Sequence, residues 1–371
     1  MTGRSICRLA AALVLLVVVV IGGRLLRDSG GGSAGSPDKV VTHHFDGFTM
    51  GTLLNVQVRT ADKAYARACA DKVFEEAARI HSVFTPGNRD SELSRLNNSR
   101  GSGEPVALSS EMARMLSAAL GFRDLSGGLF DPAMGDLIGL WGFNSQPSKP
   151  GLPDSLEIVA LLDTTLLSRG LAFNEAGPAL LLEKRAGRLD MGGIAKGYAV
   201  DRAIEVLQAA GVRNALVNLG GEIGVLGAGS NGRTWRVGVQ HPRRQNGHLG
   251  VIELTDGIFV ATSGDYENYF YSGGRRYHHI LNPRTGYPAA CQVASVTVVG
   301  RSCLEADALA TILVLMGPGQ GFEFLESRDL CGLIVYRAGG KGQADDSPLT
   351  YRATESFLEF MTPDLDGIPI H

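Results

Sequence analysis

The sequence predicts an α+β fold of mixed, largely antiparallel sheets flanked by helices. Three observations carry that expectation. The strand-like stretches ALVNLGGEIGVLG, TWRVGVQHP, GVIELTDGIFVATSG and VASVTVVG are joined mostly by short turns, which suits antiparallel neighbours, whereas parallel strands need long crossovers. Segments with apolar residues three and four apart lie between and around them, so helices accompany the sheets. Glycine supplies 49 of 371 residues with no collagen-like period, nearly double the usual share of about 7%, which implies many tight turns and close backbone approaches.

From the N-terminus, MTGRSICRLAAALVLLVVVVIGGRLLR sets Arg4 and Arg8 before an apolar run from Leu9 to Gly23. That run is at the upper limit of a signal-peptide core and short of the ~20 residues that span a bilayer comfortably. Arg24 and Arg27 follow at once, and the best small-residue cleavage site, Gly32-Ser33-Ala34, lies well beyond them, so residues 1–27 read as an uncleaved signal anchor in preference to a cleaved signal peptide. The stretch DSGGGSAGSPDK has the composition of a tether, and residues 28–42 are taken as a flexible Gly/Ser linker. Residues 43–371 are then the folded part, long enough for one large domain or two packed lobes.

Within it, TLLNVQVRT (Thr52 to Thr60) reads as a strand, and Asp62 to Val83 as a helix with Cys69, Val73, Ala77 and Ile80 on one face. A second helix follows Ser109, an N-cap residue, with Met112, Met115, Ala119 and Phe122 along one side and Gly127-Gly128 as its stop. Strand-like RLD leads through Gly192-Gly193 to a helix from near Ala195, marked by Val200, Ile204 and Leu207 and closed by Gly211. A last core helix runs from about Leu304 to Met316. The sequence has no internal repeat.

A net charge of -3, with charged residues at 20%, excludes the basic field that nucleic acid requires. The cysteines Cys7, Cys69, Cys291, Cys303 and Cys331 have neither close pairing nor zinc-ligand spacing, so they read as free, mostly buried thiols. No Ser-His-Asp arrangement or His-rich metal cluster is evident.

Three stretches carry chemistry. In LDMGGIAKGYAVDRA, two glycines and Lys196 stand at a helix start, where free amides attract anions and a lysine adds a point charge for phosphate; a glycine turn with a solvated lysine is the plainer alternative. The pattern is neither a Walker loop nor a dinucleotide fingerprint. In LEADALATILVLMG, Asp307 and Thr311 are one turn apart on an otherwise apolar helix. Their oxygens suit a hard cation such as magnesium, or are satisfied locally, Thr311 by backbone and Asp307 by an arginine. In RRYHHILNPRTGYPA the adjacent His278 and His279 point to opposite sides if extended, so one could face a site. FTPGNRDSELSRLN and SGGLFDPAMGDLIGLWGF read as loops, where binding groups concentrate.

Taken together, MGT at Met50 to Thr52, FTPGNRDSELSRLN, GGLFDPAMGDLIGLWGF, LDMGGIAKGYAVDRA, ALVNLGGEIG, WRVGVQHP, VATSGDYENYF, YHHILNPRTGYP and SVTVVGRSCLEADALAT resemble, in order, the ApbE-type flavin transferases, the FAD:protein FMN transferases. The set covers nearly all of Met50 to Gly317; the last 50 or so residues match only loosely. The resemblance implies an ApbE-like fold that uses FAD as substrate and Mg²⁺ as cofactor. It implies attachment of FMN, through its phosphate, to a Thr or Ser hydroxyl of a target flavoprotein, with release of AMP. An electron-transfer subunit facing the same compartment is the expected target. Carried over by position, Met50, Phe84, Leu129, Phe130, Asp131, Asp190, Lys196 and Ile280 would contact FAD, while the Gly193 carbonyl, Asp307 and Thr311 would hold the metal. His279 occupies the family's histidine position and is the expected proton acceptor. Asn282 stands where relatives often carry aspartate. The expected location is the bacterial inner membrane, with residues 43–371 as a catalytic domain in the periplasm. Two alternatives stand beside this reading: an FAD pyrophosphatase giving free FMN and AMP, and a non-catalytic, membrane-tethered flavin-binding protein.

Overall fold

The computed structural model describes residues 39–144, 150–165, 171–174, 179–184, 186–289, 292–338 and 347–363; the expected anchor lies outside them. The chain enters through a hairpin of β1 (Val41–Thr49) and β2 (Thr52–Thr60). Val41 and Thr42, at the end of the linker stretch, already pair with Thr60 and Arg59. The hairpin turns on Met50 and Gly51, whose φ of 51° and 77° give the left-handed pair that a two-residue connection requires.

Helix α1 (Lys63–Phe84) starts at Asp62, whose carboxylate accepts the Ala64 and Tyr65 amides at 2.8 and 3.0 Å. Then come α2 (Glu92–Asn98), β3 (Val106–Ala107) and α3 (Ser110–Leu125), which Ser109 caps by accepting the Met112 amide. After α3 follow α4 (Gly135–Leu140), α5 (Ser155–Thr165), β4 (Leu171–Asn174), β5 (Ala179–Leu182) and α6 (Ala195–Ala209). Strands β6 (Ala215–Leu219), β7 (Glu222–Leu226), β8 (Trp235–Gln240), β9 (His248–Leu254), β10 (Phe259–Gly264), β11 (Tyr269–Ser272), β12 (Arg275–His278) and β13 (Val293–Gly300) run almost consecutively. The chain closes with α7 (Cys303–Met316), α8 (Pro318–Glu326), β14 (Cys331–Arg337), β15 (Leu349–Ala353), α9 (Glu355–Phe360) and β16 (Met361–Pro363).

The main sheet has the order β1-β2-β6-β7-β10-β13-β14-β15, and every strand pair among the described residues is antiparallel. Smaller sheets comprise β16-β9-β8, β3-β5-β4 and the β11-β12 hairpin. Period-two alternation sorts the two faces of the main sheet. Val56, Val217 and Leu219 join the core built with α1 and α6, whereas Leu216, Ile223 and Val225 join Val237, Ile252 and Leu254 of the β8-β9 layer. On β13, Val296 and Val298 pack on Ala306, Leu309 and Leu313 of α7. The fold class expected from the sequence is the one observed.

Two local expectations give way. The segment Arg188 to Asp190 lies in no strand, because its backbone is taken up elsewhere: Leu189 exchanges hydrogen bonds with the Asn97 side chain, and the Asp190 amide donates to Pro132 at 2.8 Å. Both stretches read as loops contain short helices, α2 and α4, of seven and six residues. At under two turns neither can show a helical period clearly.

Among the described residues no helix is long and apolar enough to cross a membrane. Cys69 and Cys303 are buried free thiols, as expected, and Cys331 is half-buried and free.

Candidate active site

At one end of the main sheet the chain's tight turns meet the start of α6. The β6-β7 hairpin turns on Gly220 and Gly221, with φ of 65° and 107°, and sits against the β1-β2 turn: the Gly220 amide donates to Leu53, and a Cβ on Gly220 would lie 2.6 Å from Thr52 Oγ1. Met50, in the β1-β2 turn, is half-buried and packed on the α1-α6 core, and Glu222 opens β7 directly after the β6-β7 turn.

The start of α6 is built by close approach. Phe130, held by its amide donating to Ser126 Oγ at 2.9 Å, lies over Gly193, where an added Cβ would be 2.9 Å from the ring. The bond from Asp190 to Pro132 ties the Leu129-Phe130-Asp131 turn to the same segment. Asp131 Oδ1 accepts the Ala133 amide and Asp190 Oδ1 the Gly192 amide, and burial raises the pKa of both carboxyls despite those bonds. Phe84, the last residue of α1, is buried and meets Tyr198 of α6 edge-on at 6.1 Å.

Lys196 extends not to solvent but to Glu222, whose Oε1 accepts from its ammonium. Glu222 is fully buried, and its Oε2 has no protein partner. Burial opposes the charge on Lys196, but attraction to Glu222, Asp307 and Glu267 outweighs it and raises the lysine pKa. Burial pushes Glu222 well above the usual carboxylate range, Glu267 to about 7 and Asp307 to about 6, with Lys196 pulling each back. One ammonium thus interacts with three carboxyl groups whose charge burial opposes and Lys196 favours.

Asp307 is 2% exposed, and its Oδ2 accepts the Gly197 amide of α6 at 2.9 Å. Gly197 is obligatory here, since a Cβ would meet the Cys303 carbonyl oxygen at 2.4 Å and Asp307 Cβ at 2.8 Å. One turn on, Thr311 Oγ1 shares a 3.2 Å hydrogen bond with Ser263 Oγ of β10. Among the described residues Asp307 therefore bonds a backbone amide, with the Lys196 charge nearby, in place of the arginine of the plainer alternative, and Thr311 bonds a serine in place of backbone. The expected metal ligands, the Asp307 carboxylate, the Thr311 hydroxyl and the Gly193 carbonyl, are hard oxygen donors of the kind that magnesium takes. Among the described residues no group of three or more His, Cys, Asp or Glu side chains could hold a metal on its own.

His278 is buried and His279 is half-buried, with its Nδ1 sealed from solvent. His278 ends β12, and its Nε2 lies 3.2 Å from the Ala289 carbonyl. The His279 amide donates to Asn268, but its Nδ1 has no protein partner, and burial with the nearby His278 and Lys196 lowers its pKa to about 3. Ile280 is buried in the cluster that includes Leu309 of α7. The β11-β12 hairpin that carries these residues is rooted by Asp265, fully buried and held by both Arg243 nitrogens at 2.7 and 2.6 Å and by Arg337 at 3.3 Å.

The expected site residues are therefore linked through neighbouring elements: Leu129 to Asp131 with Asp190 and Gly193, Lys196 with Asp307 through α6, and Thr311 with β10. Glu222, Glu267 and Ser263 went unnoticed in the sequence. For Glu222 a signal existed, a lone carboxylate in the apolar pair ALVNLGGEIGVL, whose burial demands a partner.

The ApbE family model matches residues 50–334. An FAD:protein FMN transferase of Vibrio cholerae is 34% identical over 328 residues, covering 86% of this chain and 92% of that protein. One of Treponema pallidum is 33% identical over 279 residues, covering 72% and 77%. Among solved structures, the ApbE protein of Thermotoga maritima superposes with a TM-score of 0.77 at 31% identity, over 87% of this chain and all of that one. The flavin transferase ApbE of Vibrio cholerae gives 0.74 at 31% identity, over the same shares.

Proposed function

The chain belongs to the ApbE family and is an FAD:protein FMN transferase, and from that premise we propose how its site works. FAD lies across the start of α6, with Met50, Phe84, Leu129, Phe130, Asp131, Asp190 and Ile280 around it and Lys196 at its diphosphate. The Thr or Ser hydroxyl of a target flavoprotein attacks the phosphorus of the FMN half. A phosphoester bond forms, the bond to the bridging oxygen breaks, and AMP leaves with that oxygen. Transfer of this kind depends on positioning and charge neutralisation more than on covalent chemistry. The single observation that supports the reading best is the convergence of Lys196, Asp307 and Glu222 beneath the glycine-built helix start.

The Gly193 carbonyl, Asp307 and Thr311 would hold Mg²⁺, which when bound neutralises charge on the diphosphate. Among the described residues the buried Asp307 carboxylate is offset by the Lys196 charge and one amide hydrogen bond, and this supports the assignment. His279, neutral with an unpartnered Nδ1, takes the hydroxyl proton. The proposal extends to the whole chain: residues 1–27 anchor it in the bacterial inner membrane, 28–42 tether it, and 43–371 act in the periplasm on an electron-transfer subunit. The apolar run after Arg4 and Arg8 supports that placement.

The test is direct. The purified protein is incubated with FAD, Mg²⁺ and an electron-transfer flavoprotein subunit of the same organism expressed without flavin, and the mixture is run on a denaturing gel. Flavin fluorescence on the subunit is the expected result. AMP and free FMN with an unlabelled subunit would show that water is the acceptor instead.

A further inference from the structure

Glu222 is absent from every role assigned above except as the partner of Lys196, yet only one of its carboxylate oxygens is used. Oε1 accepts from the Lys196 ammonium, while Oε2 is sealed from solvent without a hydrogen-bond partner. A buried polar atom left unpaired is costly, and such atoms at a binding site are commonly completed by the ligand. The side chain opens β7 immediately after the Gly220-Gly221 turn, in a strand whose every residue is buried, so the oxygen cannot swing out to water. It feels the charges of Lys196, Asp307 and Glu267, which places it within the proposed transfer site.

The chemistry of its missing partner is restricted. The Lys196 ammonium on Oε1 favours the ionised form of Glu222 against the burial that favours the neutral one, and an ionised carboxylate oxygen accepts and cannot donate. The phosphates of FAD at neutral pH bring only acceptors, so they cannot satisfy it. The groups next to those phosphates that do donate are hydroxyls, either of the flavin nucleotide's own polyol and ribose or of the attacking Thr or Ser.

We propose that Glu222 is a substrate-contacting residue of this enzyme, whose Oε2 accepts a hydrogen bond from a substrate hydroxyl adjoining the phosphate being transferred. The inference rests on the reading of the Lys196-Asp307 site as the transfer centre. In this arrangement Glu222 works with both oxygens, one fixing the phosphate-binding ammonium and the other aligning the hydroxyl.

The test uses Glu222→Gln in the full chain, with FAD affinity read from quenching of flavin fluorescence and transfer read with the same flavin-free subunit at saturating FAD. If the hydroxyl belongs to FAD, the Kd for FAD rises about ten- to hundredfold while the rate at saturation changes little, as expected for losing a hydrogen bond to a charged group. If it belongs to the acceptor, FAD affinity holds and the rate falls by about a hundredfold or more. A merely structural glutamate would lower the unfolding temperature and leave both constants within about threefold of wild type for the folded fraction, and that result overturns the proposal. Should the glutamine variant fail to fold, Glu222→Asp keeps the charge beside Lys196 and withdraws the second oxygen by one methylene, and is read in the same way. Asp307→Ala is run alongside. If that variant transfers flavin normally, the location of the site is wrong; if it is inactive while Glu222→Gln matches wild type, only the role of Glu222 is.

Discussion

Replacing Gly197 by alanine tests the junction on which the site is built. The added methyl carbon would lie 2.4 Å from the Cys303 carbonyl oxygen, a full ångström inside the 3.4 Å at which ordinary contact begins, and 2.8 Å from Asp307 Cβ. Neither obstacle is a flexible side-chain end, so α6 and α7 must part. Overpacking of this sort costs about 1–3 kcal/mol. Separation also stretches the 2.9 Å bond from the Gly197 amide to Asp307, and a hydrogen bond to a buried charged group is worth roughly 1.5–3 kcal/mol. The two effects share one movement, so a total of about 2–5 kcal/mol is expected. Gly121, exposed on α3 with nothing within 4 Å of an added Cβ, is the control: alanine there should stabilise by about 0.5–1 kcal/mol, because glycine is a poor helix former. Urea unfolding of the two variants should shift in opposite directions, and FAD:protein transfer should fall at least tenfold in Gly197→Ala alone. A Gly197→Ala protein as stable and active as wild type would refute the close packing of α6 on α7.

Two further outcomes follow from the charges. Lys196→Met leaves Glu222, Asp307 and Glu267 without their cation, and stranding a buried charge costs about 3–5 kcal/mol. These carboxyls have folded pKa values above their unfolded ones, so the penalty grows as pH rises from about 4.5 to 7 and largely vanishes in acid. Urea unfolding at pH 5 and pH 8 should show a much larger loss at the higher pH; an equal loss at both would contradict the charge argument. His279 has the opposite sign. Its folded pKa of about 3 lies below the unfolded value near 6.5, so its neutral burial contributes stability that is lost as pH falls below 6.5, at roughly 1.4 kcal/mol per unit. His279→Asn should flatten that acid-side fall relative to wild type in unfolding measured from pH 7 to pH 4.

What the sequence made legible was what neighbouring residues determine. Asp62 and Ser109 cap helices by bonding amides two or three residues on, and both are visible as cap residues before an apolar period. Asp307 and Thr311 stood out because an apolar helix has no local use for their oxygens. Contacts across long separations were not visible. Glu222 meets Lys196 across 26 positions, and Asp307 meets Gly197 across 110, so nothing nearby announces either pairing. The lysine therefore suggested solvent or phosphate, while its carboxylate partner passed as one more strand residue. The Arg188 to Asp190 segment has strand-like composition, but Asn97, some ninety residues earlier, claims the backbone groups that a neighbouring strand would need.

The central claim is that Asp307, Thr311 and the Gly193 carbonyl hold a divalent cation against the diphosphate of FAD. Isothermal calorimetry of FAD binding, with and without Mg²⁺, on wild type and Asp307→Ala measures it most directly. Magnesium should tighten FAD binding to wild type by at least tenfold and leave the affinity of a folded Asp307→Ala protein unchanged. An equal magnesium effect in both proteins, or none in wild type, would contradict the assignment.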